Sequence, residues 1–133
     1  MWPFILSIIK RDSQITGKVM RNINGLKKTS EFQHVYSKKK SYADKYLIMY
    51  ISNNALEVSR IGISASKKIG NSVVRHRVSR LIREAYRLNK DKLASGFDIV
   101  IVARPLAAEA GFSEIEKSYL GLLKRHRILI KDE

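Results

Sequence analysis

The 133 residues are one domain's worth of chain, and at 44% apolar they can furnish a single modest core. Lys and Arg number 26 against 12 Asp and Glu, a net charge of +14 that is most simply explained by a polyanionic partner, with nucleic acid ahead of an anionic membrane surface. The absence of Cys excludes disulfides, thiolate zinc sites and cysteine nucleophiles; three scattered His show no metal-ligand spacing, and no apolar run approaches the ~20 residues of a membrane span, so the expected location is cytoplasmic.

In chain order, Trp2–Ile9 is an apolar run followed by Lys10-Arg11, the reverse of a signal peptide's charge order. Residues 1–25 read as an N-terminal extension outside the fold, with Met20 as an alternative start, and 26–133 read as the domain. A membrane-surface anchor is the rival reading of the extension. A first helix is expected over Ser30–Lys38, opened by a Ser30/Gln33 capping box, with Phe32 and Tyr36 sharing a face at i, i+4. Lys38-Lys39-Lys40 ends it in cations, which suits the helix dipole. Tyr42-Ala43 begins a short strand, and Tyr46–Ile51 is a strand rich in aromatic and branched residues. Arg60–Ser66 alternates cleanly: Ile61, Ile63 and Ala65 on one face, and Gly62, Ser64 and Ser66 on the other. That second face is nearly bare of bulk, so something can approach it closely. Gly70-Asn71-Ser72 opens a long helix to about Leu88, with an apolar stripe of Val74, Val78, Leu81, Ala85 and Leu88. Phe97–Ala103 is nearly continuously apolar and so reads as a central strand, stopped by Pro105. A Ser113/Glu116 capping box opens a last helix through about His126, buried along Ile115, Tyr119, Leu122 and Leu123. The fold class is α+β in the order αβββαβα, a two-layer domain with a mixed sheet and a βαβ crossover.

Charge is unevenly placed. Arg60–Lys92 holds ten basic and two acidic residues, whereas Leu93–Glu133 holds six of each. On the long helix, with Val74 set to zero, the apolar stripe spans roughly ±40° while His76, Arg80, Arg83, Arg87 and Lys90 fall at roughly 160–240°. Arg75 and Arg77 flank the boundary, and Lys67 and Lys68 precede the helix near its positive end. A solvated helix face usually mixes signs, but Glu84 is the only acid between Lys67 and Lys90. Arginine's planar fork suits phosphate.

The run Lys67-Lys68-Ile-Gly70-Asn71-Ser-Val73-Val-Arg75-His76-Arg77-Val-Ser-Arg80-Leu-Ile-Arg83-Glu84 resembles the signature of the bacterial ribonuclease P protein family. The resemblance extends from about Leu26 to about Ile130. It implies the protein subunit of a ribonucleoprotein that removes the 5′ leader of precursor tRNA, a left-handed crossover, and a fold like the second domain of a small-subunit ribosomal protein. On this implication Lys67, Lys68, Asn71, Arg75, His76, Arg77, Arg80, Arg83 and Arg87 contact the catalytic RNA, and Phe32, Tyr36, Tyr50 and Lys28 line a cleft for the single-stranded leader. His76 stands where the family pattern has Asn. The resemblance further implies that the RNA subunit performs the hydrolysis with Mg²⁺, and no obligate protein partner. The sequence agrees in having only five scattered acids between Lys27 and Lys92, without the clustered carboxylates a two-metal nuclease needs. Three alternatives stand beside it: a general RNA-binding or ribosomal protein, a DNA-binding module, and a protein-only nuclease. The near-absence of Asn or Gln on the cationic face disfavours the DNA-binding reading.

Overall fold

The computed structural model describes residues 25–130. The elements run α1 (Thr29–Ser37), β1 (Ser41–Ala43), β2 (Leu47–Asn53), β3 (Arg60–Ser64), α2 (Ser72–Leu88), β4 (Phe97–Ala103) and α3 (Phe112–Arg125), with short 3-10 turns at Lys67–Ile69, Lys90–Lys92 and Pro105–Glu109. The expected α+β order is the one found.

The four strands are ordered β1-β2-β4-β3. β1 pairs antiparallel with β2, β2 antiparallel with β4, and β3 parallel with β4, so α2 is the crossover of a βαβ unit. β4 is central, as its continuous apolar run requires: Ile99, Ile101 and Ala103 enter one core while Val100 and Val102 enter another. The larger core lies between the sheet and helices α2 and α3. Leu47, Met49, Ile51, Ile61 and Ile63 meet Val78, Ile82, Tyr86, Tyr119 and Leu123 there. Fully burying one such side chain contributes about 1.5–3 kcal/mol.

The smaller core lies on the opposite face and adds a layer beyond the two expected. There α1 lays Phe32, Val35 and Tyr36 against Tyr50, Val100 and Val102. The bare strand face is what admits it: a Cβ on Gly62 would stand 2.5 Å from the Phe32 ring. The approaching body is therefore the chain's own first helix. Gly25 extends the sheet as an isolated parallel bridge to Ile61, with the Leu26 N–H donating to the Ile61 carbonyl at 2.9 Å.

Neither capping box falls where expected. α1 starts one residue earlier, and the Glu31 carboxylate accepts the N–H groups of Lys27 and Lys28 at 2.8 and 2.9 Å. α3 starts at Phe112, and Glu114 accepts the Gly111 N–H at 2.7 Å. In each case a Glu three residues beyond the N-cap residue takes the role, while Ser30 and Ser113 lie inside the helix. Glu116, expected in the box, instead accepts from the Asn89 amide at 3.0 Å.

Candidate nucleic-acid interface

Helix α2 is built as the sequence indicates at its start. Asn71 is the N-cap and its Oδ1 accepts the Val74 N–H at 3.0 Å. Gly70 precedes it at φ +150, and a Cβ there would meet Val74 at 2.9 Å. Ser66 accepts the Lys68 N–H in the turn before, which places exposed Lys67 and Lys68 at the helix's entrance.

The buried face is rotated from the expected one. Val78, Ser79, Ile82, Ala85 and Tyr86 are buried, whereas Leu88 is 50% exposed. The centre of burial therefore lies roughly 70° from Val74, toward Ile82 and Tyr86. Turning the helix this way divides its arginines. Arg75, at roughly 100°, is only partly exposed, and its Nε is buried without a hydrogen-bond partner. Arg77 is drawn toward the 3-10 turn after β4, donating to the carbonyls of Ala110 (3.0 Å) and Ala108. Arg87 pairs with Glu84, through Nε at 3.0 Å and a second short contact. That pair holds the Glu84 carboxyl below its usual range, first through the hydrogen bond from Arg87. His76 and Arg80 remain exposed and Arg83 partly so, and together they form the centre of the cationic face.

The candidate leader residues lie on the other side of the sheet. Tyr36 and Tyr50 meet edge to face, centroids 4.7 Å apart. They are 5% and 4% exposed, and Phe32 is 1% exposed. All three rings are packed rather than open, because helix and strand press the i, i+4 pair inward against β4. Burial also pushes the Tyr50 hydroxyl up from its ordinary pKa. Lys28 is exposed at the mouth of α1.

One node was not foreseen. Arg60, at the start of β3, grips Asp98 of β4 with both ends of its fork, Nε to Oδ1 at 2.8 Å and Nη2 to Oδ2 at 2.7 Å. Its Nη1 reaches Glu31 of α1 at 3.0 Å. Asn54 adds a bond to Asp98 at 2.9 Å. Burial alone would raise the Glu31 carboxyl, but the N–H groups of Lys28 and Lys27 and the charge of Arg60 outweigh it and hold it below its usual range. The signal was present: Asp98 is the one charge inside an otherwise apolar central strand, and a buried carboxylate demands a partner.

Among the described residues no group of three or more His, Asp or Glu side chains is placed to hold a metal ion, and no helix is long and apolar enough to cross a membrane.

Comparison with known proteins agrees with this geometry. A family model described as Ribonuclease P matches residues 20–127. A ribonuclease P protein component of Lachnoclostridium phytofermentans is 53% identical over 108 residues, covering 81% of this chain and 93% of that one. Its counterpart in Clostridioides difficile is 52% identical over 107 residues, covering 80% and 94%. Among solved structures, the ribonuclease P protein of Staphylococcus aureus superposes with a TM-score of 0.74 at 33% identity, covering 81% of this chain and 99% of that one. That of Thermotoga maritima gives 0.70 at 30% identity, covering 76% and 96%.

Proposed function

This chain belongs to the bacterial ribonuclease P protein family, the protein subunits of the ribonucleoprotein endonuclease that matures tRNA 5′ ends, and from that premise we propose a division of labour between the two faces of its sheet. The α2 side binds the catalytic RNA through Lys67, Lys68, His76, Arg80 and Arg83. The α1 side, at the seam of Tyr36 and Tyr50 with Lys28 at its mouth, receives the 5′ leader of precursor tRNA. The observation that carries this reading is the layering: α2 and α3 pack on one face of the sheet and α1 on the other, so each RNA can be met without displacing the other. Chemistry belongs to the RNA subunit in this family. On our reading the Mg²⁺ of the holoenzyme is likewise held by RNA, and the particle works in the cytoplasm.

On our reading three residues named by the resemblance serve the fold instead. Phe32 fills the space above Gly62 and acts as a core residue that seats α1. Arg77, though exposed, commits guanidinium donors to the turn after β4. Asn71 likewise commits its Oδ1 to the helix cap.

The test uses assembled holoenzyme. Tyr50→Leu keeps an apolar side chain in the core but removes the ring. It should weaken binding of precursor tRNA about tenfold or more, the scale of one base–aromatic contact, and leave mature tRNA, which lacks a leader, unchanged. Equal losses for both substrates would move the leader elsewhere.

A further inference from the structure

The lysine run after α1 plays no part in either surface above, and the fold gives it a setting. β1 is one edge of the sheet and β3 the other, so β1 lies at the far edge from Lys67 and Lys68, which follow β3. Lys38, Lys39 and Lys40 lead directly into β1, all exposed, with Lys39 in the left-handed region at φ 56. The C-terminal end of α3 arrives at the same edge. Arg125 lies over the Tyr42 ring, 4.5 Å from its centroid, and donates to the Ala43 carbonyl at 3.0 Å. Tyr42 in turn stands edge-on against His126, with centroids 4.7 Å apart. Tyr42 is 41% exposed, a large ring kept at the surface beneath the guanidinium.

Among the described residues no acid forms an ion pair with these cations: Glu31 and Asp98 pair with Arg60, and Glu84 with Arg87. Asp44, the carboxylate nearest in sequence, is taken up by the N–H groups of Tyr46 and Leu47 and the hydroxyl of Ser118. The crowding is felt locally: burial lowers the His126 pKa, and the charges of Lys40 and Arg125 lower it further, against the opposing bond to Met49. A cluster of like charges, one of them anchored on a ring and a backbone carbonyl, is costly unless an anion meets it.

We propose that the β1 edge, formed by Lys38, Lys39, Lys40 and Arg125, is a further contact surface for an RNA phosphate backbone, separate from the α2 face and adjoining the α1 seam, where the Lys39 N–H donates to the Tyr36 carbonyl. The ligand chemistry is a run of phosphodiesters, which either the catalytic RNA or the body of the substrate tRNA can supply.

The experiment replaces Lys38, Lys39 and Lys40 together by Gln, which leaves the bonds of Arg125 and the backbone of the turn in place. Two affinities are measured across a salt series: protein for catalytic RNA, and holoenzyme for mature tRNA. The proposal expects the melting temperature to hold, one of the two affinities to fall at least tenfold, and its salt dependence to become shallower by about one unit of slope per lost phosphate contact. The arm that falls identifies the source of the phosphates. Affinities and slopes unchanged in both arms would overturn the proposal, as would a fall without a change of slope. Arg125→Gln is the second variant: it should weaken the same arm as the lysine variant, and a loss confined to the other arm would also count against a single surface.

Discussion

His126 shows how one side chain's surroundings become a property of the fold. Its Nε2–H donates to the Met49 carbonyl at 2.9 Å, which joins the end of α3 to β2. Burial is the main cause of its lowered pKa, opposed by that bond and aided by Lys40 and Arg125. The folded chain therefore takes up the proton later than the unfolded chain as pH falls. The stabilisation is complete above the ordinary histidine value of about 6.5 and declines as pH drops below it. The melting temperature of the free protein should thus fall as pH drops below about 6.5, and His126→Gln, which keeps a donor for Met49, should flatten that part of the profile. An identical slope in the variant would assign the loss to another group. Arg60 makes a second case. Asp98 is almost wholly buried, so Arg60→Ala strands its carboxylate, at a cost of about 3 kcal/mol, the lower end for a buried pair because Arg60 itself is about a quarter exposed. Combining it with Asp98→Asn should recover part of that loss in denaturant melts; strictly additive losses would show that the two do not act together.

Helix α2 shows what the sequence discloses about an element. Its limits were legible because Gly70 and Asn71 are local signals whose chemistry acts within one turn. Its buried face was not, because apolar residues occupy a wide arc from Leu88 through Val74 to Ile82 and Tyr86. Which part of that arc is covered depends on where α3 and the sheet lie, and periodicity does not contain that information. The same limit hid the state of Phe32, Tyr36 and Tyr50: an i, i+4 pair fixes a shared face, not whether the face meets solvent or β4. The cationic side survives the rotation because it spans so many positions. Arg80→Ala or Arg83→Ala should weaken assembly with the catalytic RNA and make its salt dependence shallower, since each lost phosphate contact removes about one counterion. Arg77→Ala should differ in kind: its loss frees the Ala108 and Ala110 carbonyls, so thermal stability should fall by about 1–3 kcal/mol with a smaller change in salt slope. If Arg77→Ala changed the slope as much as Arg80→Ala and left stability intact, it would belong to the RNA face.

Across the whole molecule, charge and fold are divided along the chain. The segment from Leu93 onward has no net charge and supplies β4 and α3, while the net positive charge falls in the chain before it. We expect residues 1–19 to be dispensable: a chain beginning at Met20, where the family match also starts, should melt and assemble like the full chain. A marked loss on truncation would show that Trp2–Ile9 engages the domain or a partner. The sheet order β1-β2-β4-β3 has a consequence for synthesis as well. The last strand made is the one that joins the rest: β2 and β3 each pair with β4, and not with each other. A chain still on the ribosome therefore displays its most basic stretch, complete through Lys92, before it has a closed sheet to hold it. Closure of the sheet then waits on one event, the emergence of Phe97–Ala103. A chain ended at Lys92 should accordingly show no cooperative melting, while one ended at Ile130 should.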